Sequence, residues 1–215
     1  MDHAVALVES YLRVNGYFTV TEYPLVEVCR YGNYHTATDL DVLAFRFPGA
    51  GRLAPFEFGK VATDNAADRF IVDPMLGAAL DRPEMLIGEV KEGHAELNAA
   101  ALNPAVLRAA LTRFGCCAPE HVPPVVQALL QRGRAQTHCG HVVRLVAFGS
   151  LPPCSNRGKY AVVSLGHIQQ FMEGYLREHW EVLCHAQFKD PAFGFEMLLE
   201  KARRGCVREE RAIPK

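Results

Sequence analysis

The sequence predicts an α/β protein in which a mixed central sheet is flanked by helices. Residues 39–47 and 84–91 carry apolar side chains on both alternating faces, as expected for strands that are covered on both sides. Segments with helical periodicity lie before, between and after the predicted strands, an order that places helices on both faces of one sheet. The 215 residues are 49% hydrophobic and 22% charged, a composition typical of globular proteins.

The first predicted element is an amphipathic helix, in which Ala4, Leu7, Val8 and Tyr11 recur at helical spacing. Gly16 marks its end, because glycine adopts the left-handed conformation beyond a helix C-terminus at little cost. A helix that begins the chain and has one apolar face is expected to pack against the sheet that follows.

Two or three strands are predicted next. Residues 17–20 and 25–29 are rich in β-branched and aromatic side chains, and Pro24 lies between them. This pattern indicates either one interrupted strand or two short ones. The strand at residues 39–47 follows after a Gly-Asn turn.

A long connection rich in glycine and proline comes after that strand, at about residues 48–83. Compact domains rarely carry so long a connection without structure of its own, so short helices are expected at residues 66–70 and 76–80. The chain is expected to form a single domain, residues 1–215, with this connection as an insertion and a basic helical extension at about residues 189–215. The later helices and strands are predicted at residues 103–115, 121–132, 141–148, 160–164, 168–176 and 191–204.

The charge of the chain is unevenly distributed. Its net value of −1 results from −7 in residues 1–100 and +6 in residues 101–215. Lysine and arginine side chains neutralise phosphate groups, so the basic second half is compatible with a nucleic-acid partner although the total is close to zero.

Seven cysteines at irregular spacings, with no C-x-x-C pair, argue against a disulfide framework and favour reduced thiols. His138, Cys139 and His141 form a tempting metal-binding cluster, but a zinc site needs four ligands, and a partly buried loop is the preferred interpretation. No apolar run is long enough to cross a membrane, and the first ten residues do not resemble a signal peptide. We therefore expect a soluble, cytoplasmic protein without a membrane partner.

Charged side chains interrupt the two apolar strands at matching spacings. Glu89 and Lys91 project from one face of their strand because they are two residues apart, and Asp39 and Asp41 have the same spacing. If the strands are neighbours, two carboxylates and an ammonium group meet, a combination suited to Mg²⁺ or Mn²⁺ and to phosphodiester hydrolysis. The alternative is a structural ion pair of Lys91 with Glu89 or Asp41 at a strand end.

These residues resemble the motif of the PD-(D/E)xK nuclease superfamily, which includes restriction endonucleases and archaeal Holliday-junction resolvases. The strings YLRVNGYF, TDLDVLAF and IGEVKEG are similar to those at the helix and strands of that superfamily. The resemblance extends from the first helix to the strand at residues 141–148, and it implies a restriction-endonuclease-like αβββαβ core.

The resemblance also implies roles for individual residues. Asp41, Glu89 and Lys91 would be catalytic, with Asp41 and Glu89 holding Mg²⁺ or Mn²⁺. Glu9 matches an additional metal ligand of many members, although a solvated helix residue is an equally good interpretation. For Asp39 three roles remain open: it shares the metal, caps a turn or faces solvent.

Two features depart from the family pattern. Leu40 stands where the motif has its proline, and 48 residues separate Asp41 from Glu89, more than a hairpin needs. The insertion is therefore expected to shape substrate recognition or to close over the site. Glu92 and His94 follow the motif, where they either touch substrate or belong to a solvated turn.

Six basic residues are the expected nucleic-acid contacts. They lie in loops beside the predicted core and in the C-terminal helix: Arg132, Arg134, Arg157, Lys159, Arg203 and Arg204. A solvated helix face is the alternative interpretation for the C-terminal group.

The sequence thus favours a Mg²⁺-dependent endonuclease acting on DNA, with a homodimer as the form that would cut both strands. The rival is a nuclease-like domain without catalysis that binds nucleic acid or supports an assembly. A third reading is a fold without any nucleic-acid partner, in which the C-terminal basic residues are dispersed over the surface.

Overall fold

The computed structural model describes residues 2–28, 32–51, 72–155 and 159–212. The helices are α1 (His3–Val14), α2 (Pro104–Phe114), α3 (Val122–Arg132), α4 (Leu165–Glu178), α5 (Trp180–Leu183) and α6 (Pro191–Ala212). The strands are β1 (Tyr17–Val28), β2 (Tyr34–Arg46), β3 (Glu84–His94), β4 (Arg134–Gln136), β5 (Val142–Leu151) and β6 (Ala161–Ser164). No helix in these ranges has both the length and the apolar character that a membrane crossing requires.

The six strands form one mixed sheet, as predicted, in the order β1-β2-β3-β5-β4. The first three are antiparallel, whereas β3 and β5 run parallel. The short strands β4 and β6 pair with successive parts of β5, β4 antiparallel near its start and β6 parallel further along. β3 therefore lies between β2 and β5, the most protected position in the sheet.

Helices cover both faces of the sheet, which confirms the predicted α/β class. On one face, α2 and α3 pack against side chains such as Ile87 and Leu145. On the other, α1, α4 and α6 pack against Leu86, Val90 and Phe148. Alternate residues of β3 thus point into different layers, which explains its unbroken apolar run.

The pairing of β2 with β3 ends at Val42 and Gly88. Beyond this point β2 continues along β1 while β3 continues along β5, so the two central strands separate. The Oδ2 atom of Asp41 accepts a hydrogen bond from the backbone N–H of Val90 at 2.8 Å. The Asp41 carboxylate thus replaces the strand carbonyl that would otherwise accept this hydrogen bond. The candidate site lies in the gap between β2 and β3 that this hydrogen bond spans.

A buried ionic group holds the opposite end of the same strands. Glu84 is fully buried at the start of β3 and accepts hydrogen bonds from Arg144 at 2.6 and 2.9 Å and from the Tyr17 hydroxyl at 2.8 Å. Arg144 also donates to the carbonyl of Leu76 at 2.8 Å, which ties the end of the insertion to β5. Because the Glu84 carboxylate and the Arg144 guanidinium both have hydrogen-bonding partners, their charges are tolerated in the interior.

Several boundaries differ from the sequence-based expectation. β2 begins at Tyr34 rather than at residue 39, because its first half is exposed and lacks the apolar signal of a core strand. A 3₁₀ turn at Pro74–Leu76 replaces the helix expected at residues 76–80, and Gly77 ends it in the left-handed conformation. β4 was not predicted, since three residues carry no periodicity. The helix expected at residues 66–70 and the rest of residues 52–71 lie outside the described residues.

Replacing Glu84 by Gln is expected to lower the free energy of unfolding by about 3–5 kcal/mol, because it leaves the buried Arg144 guanidinium without a counter-charge. Urea unfolding followed by circular dichroism measures this change. The matched control is Arg177→Gln, which removes an exposed ion pair of 2.7 Å with Glu173 and should cost less than about 1 kcal/mol. Equal, small effects of both substitutions would contradict the structural role assigned to Glu84.

Candidate active site

The structure brings Asp41, Glu89 and Lys91 together in the gap between β2 and β3. The Lys91 Nζ atom lies 2.5 Å from Glu89 Oε1 and 3.9 Å from Asp41 Oδ2. These are the three residues that the sequence places on two separate strands, 48 residues apart. Glu89 and Lys91 alternate with Val90, which faces the α1 layer, so both point toward the α2 and α3 layer.

Asn98 is a fourth member of this cluster that sequence reasoning missed. Its Nδ2 donates to Glu89 Oε1 at 2.6 Å, and its Oδ1 accepts from the backbone N–H of Ala101 at 2.6 Å. The second bond fixes which end of the amide faces Glu89. A single asparagine in a loop gives no sequence signal of this kind, because the contact depends on the loop folding back toward β3.

The three groups differ in exposure. The Glu89 side chain is only 2% exposed, that of Asp41 24% and that of Lys91 42%. The cluster therefore has a buried floor and an opening to solvent on the side of Asp41 and Lys91. A ligand entering from solvent meets these two side chains before it meets Glu89.

Burial raises the pKa of Glu89, and the negative charge of Asp41 adds to this effect, while the hydrogen bonds from Lys91 and Asn98 oppose it. For Lys91, burial acts to lower the pKa, but the hydrogen bond to Glu89 and the charges of Glu89, Asp41 and Asp2 outweigh it, so the pKa is raised. Lys91 is thus an ammonium group held by carboxylates. Asp2 forms the N-cap of α1, where its Oδ1 accepts from the N–H of Ala4 at 2.9 Å.

Glu9 does not join this cluster in the structure. It is buried on α1, where its carboxylate accepts from Arg13 at 2.6 Å and from the Thr19 hydroxyl at 3.0 Å. α1 covers the face of the sheet opposite to Glu89 and Lys91, and Glu9 lies about 10 Å along the helix from Asp2. The alternative interpretation of Glu9 as a solvated helix residue is also wrong, since this residue is only 5% exposed.

The remaining residues around the motif are exposed. Asp39 lies on the outer part of β2, and Glu92 and His94 follow Lys91 at the end of β3. The His94 Nδ1 atom lies 2.6 Å from the carbonyl oxygen of Pro152. None of these three has a described contact with Asp41, Glu89 or Lys91.

The donor set suits a hard divalent cation. Mg²⁺ is bound in proteins by one or two carboxylates, with water and substrate phosphate oxygens completing the shell. Asp41 and Glu89 provide such a pair, and the repulsion between them is relieved here by Lys91. Within the described residues there is no group of three or more histidine, cysteine, aspartate or glutamate side chains that would hold a metal ion by itself. This also applies to the loop that contains His138, Cys139 and His141.

The basic residues predicted to bind nucleic acid separate into two groups. Arg132 and Arg134 flank Gly133, and the backbone of Lys159 lies directly against that glycine, so these three share one surface. Arg157 lies outside the described residues.

The C-terminal arginines contact acidic and aromatic side chains of the chain itself. Arg204 donates to Glu200 at 2.8 Å and lies 4.6 Å from the Trp180 ring centre. Arg203 lies 3.7 Å from Glu173 and 3.8 Å from Glu200. Their charges are largely compensated within the helical layer.

Comparisons with protein-family models, curated proteins and solved structures return no match to this chain. The nuclease resemblance therefore depends on the motif residues themselves.

Replacing Lys91 by Met is expected to destabilise the metal-free protein most at neutral pH. The pKa of Glu89 is higher in the folded than in the unfolded chain, so the folded state binds more protons and its stability rises as the pH falls through that pKa. Loss of the ammonium group raises this pKa further, because a favourable partner of the carboxylate is removed. The difference in the free energy of unfolding between wild type and Lys91→Met should therefore become smaller as the pH falls and Glu89 becomes protonated.

Urea unfolding between pH 4.5 and pH 8 with a chelator present measures this dependence. The matched control is Lys189→Met, at an exposed lysine before α6, whose effect should not vary with pH in the same way. A Lys91→Met deficit that is constant or grows on acidification would contradict the electrostatic description of the cluster.

Proposed function

We propose that this protein is a metal-dependent nuclease of the PD-(D/E)xK type that hydrolyses phosphodiester bonds, with DNA as its substrate. The observation that carries the proposal is the convergence of Asp41, Glu89 and Lys91 where β2 and β3 separate. Two carboxylates and one ammonium group at an opening between core strands are costly to assemble, and catalysis gives them a purpose.

The order of elements is consistent with the restriction-endonuclease-like core that the motif implies. A helix is followed by three antiparallel strands, then by helices, and then by a strand parallel to the third. We therefore propose an αβββαβ core made of α1, β1, β2, β3, α2 and β5. The insertion between β2 and β3 and the layer of α4 to α6 are additions to it.

Asp41 and Glu89 would hold Mg²⁺ or Mn²⁺. When bound, such an ion polarises the phosphate and lowers the pKa of a bound water. The chain's own residues provide the remaining functions. Asn98 fixes the Glu89 carboxylate, and the Val90 N–H fixes that of Asp41, so both are oriented before substrate arrives.

Lys91 is placed to neutralise the negative charge that develops on the scissile phosphate. Its Nζ atom is within reach of both carboxylates, and its side chain is the most exposed of the three. An ammonium group that donates hydrogen bonds at the mouth of the site stabilises a dianionic transition state more than the ground state.

The second candidate is a nuclease-like domain without catalysis, acting in nucleic-acid binding or assembly. It is favoured by the fact that the carboxylates are already satisfied within the chain, Glu89 by Lys91 and Asn98, and Asp41 by Val90. An ion pair of this completeness is what a purely structural role requires. Cleavage measurements separate the two candidates.

In the presence of Mg²⁺ or Mn²⁺, the protein is expected to cleave DNA, and Asp41→Asn, Glu89→Gln and Lys91→Ala should each reduce the rate by about 100-fold or more. A panel of duplex, branched and single-stranded DNA, with RNA in parallel, measures this by gel electrophoresis. Sedimentation of the active sample tests whether a homodimer, which would cut both strands, is the working form.

The control is Glu181→Gln, which removes an exposed carboxylate on α5 and should leave the rate unchanged. Cleavage that persists undiminished in the Asp41 and Lys91 variants would contradict the proposal. Salt-dependent binding to nucleic acid without any metal-dependent cleavage would instead support the second candidate.

Asn98→Ala is expected to raise the Mg²⁺ concentration needed for half-maximal cleavage by about 10- to 100-fold, because groups that orient a metal ligand typically have effects of this size. A Mg²⁺ titration of the cleavage rate measures it. Asn33→Ala, at an exposed position before β2, provides the matched control. An unchanged titration curve in Asn98→Ala would show that the Glu89 carboxylate does not need this contact.

A further inference from the structure

A cavity of about 990 Å³ lies on a different part of the molecule, between α3, β4 and the segment at residues 78–82. Its walls carry three guanidinium groups, from Arg82, Arg132 and Arg134, and two imidazoles, from His121 and His138. Its apolar lining residues include Val125 and Ala128 of α3. We call this the α3 groove.

Cationic charge dominates the α3 groove. Asp81 is the carboxylate among its described lining residues, and it pairs with Arg82 at 3.2 Å. Arg132 and Arg134 are exposed, and in the described part of the chain neither has an ion pair or a side-chain hydrogen bond. Two neighbouring guanidinium groups without counter-charges repel one another unless an anion lies between them.

Local structure explains only part of this arrangement. Arg132 is in the last turn of α3, where a cation interacts favourably with the helix dipole. No helix dipole explains the position of Arg134, because this residue lies on the edge strand β4. On that strand Ala135 points to the core and Gln136 again to the groove. The pair therefore indicates an anionic ligand.

The turn between the two arginines is closely constrained. Gly133 has a φ of 64°, and a Cβ atom at this position would lie 2.1 Å from the carbonyl oxygen of Lys159. The backbone of the exposed Lys159 is thus held against the turn, which adds a third basic residue beside Arg132 and Arg134. The positions of these groups follow from packed backbone rather than from a free loop.

The α3 groove is elongated. It extends along α3 from His121 to Arg132, about 16 Å at the rise of an α-helix. At the other end from the arginines, the rings of His121 and His138 lie 3.9 Å apart, and His138 is exposed. A line of cations and N–H donors of this length can follow a short run of successive phosphates along one strand.

We infer that the α3 groove binds the phosphodiester backbone of a nucleic acid at a distance from the site of cleavage. This inference rests on the proposed nuclease function for the identity of the anion. Glu84 and Lys91 pair with Val142 and Gly149, seven residues apart on each strand, and Val142 lines the groove. The groove thus lies about 23 Å from Lys91 along β5, so the substrate extends roughly seven nucleotides beyond the reacting phosphate.

Fluorescence anisotropy with a labelled 30-nucleotide DNA, single-stranded and duplex, in EDTA tests the inference without cleavage. Arg132→Gln/Arg134→Gln should weaken binding at least tenfold and reduce the salt slope of log K by about 1.8 for the duplex and about 1.4 for the single strand, as expected for two lost phosphate contacts. The matched control is Arg108→Gln/Lys189→Gln, which removes two exposed cations outside the groove and should change affinity by less than twofold. Because the substituted side chains are exposed, the melting temperatures of all variants should stay close to that of wild type.

A cleavage assay separates anchoring from catalysis. The double arginine variant should raise KM about tenfold with kcat unchanged, since a contact far from the reacting phosphate stabilises ground and transition states equally. Unchanged DNA affinity in that variant, or an equal loss in the control, would overturn the inference. Wild-type protein that binds DNA through the α3 groove but does not cleave it would overturn the nuclease proposal and leave the groove assignment standing.

Discussion

The central strand β3 carries two buried carboxylates, one at its start and one just beyond the end of its pairing with β2, and the need to compensate both charges organises the rest of the structure. A carboxylate without partners is very costly in the protein interior, so each must be met by groups from other elements. Glu84 is met by Arg144 and Tyr17, which joins β5 and β1 to the start of β3. Glu89 is met by Lys91 and Asn98, which joins the loop before α2 to the part of β3 where β2 separates from it. The Glu84 cluster is closed and structural, whereas the Glu89 cluster is open to solvent.

The opening of the Glu89 cluster to solvent follows from strand pairing. Once β2 and β3 separate beyond Val42 and Gly88, Val90 has no strand carbonyl to bond, and Asp41 accepts its N–H instead. On the far side, a Cβ atom at Gly149 would lie 2.6 Å from the backbone nitrogen of Ala95, so the chain after β3 crosses closely over β5. That crossing returns Asn98 to Glu89. The same divergence that interrupts the sheet therefore assembles the side chains that chemistry would use.

The distribution of charge has a different meaning in three dimensions than along the chain. In the C-terminal helix the charges of Arg203 and Arg204 are compensated locally, since these side chains face Glu173 and Glu200. Among the described residues, Arg132 and Arg134 beside the turn at Gly133 have no ion pair, and Arg82 from the acidic half of the sequence lines the same groove together with its partner Asp81. A count of charge by sequence position places Arg82 in the acidic half. In the fold Arg82 lines the groove formed by the basic half, because the end of the insertion returns to the start of β5.

The sequence by itself determined the α/β class, most helices and core strands, and the three residues that meet where β2 and β3 separate. These features are local, since a period of two or 3.6 residues and the projection of residues i and i+2 need no knowledge of distant segments. The exposed first half of β2 and the three-residue β4 were not predicted, because their sequences have too little apolar periodicity. Only the tertiary structure decided that Asn98 joins Glu89, that Glu9 accepts a hydrogen bond from Thr19 on the opposite face, and that Arg82 lines the same groove as Arg132 and Arg134. Each of these depends on which strands pair and which layer each helix covers, and packing between remote segments sets both.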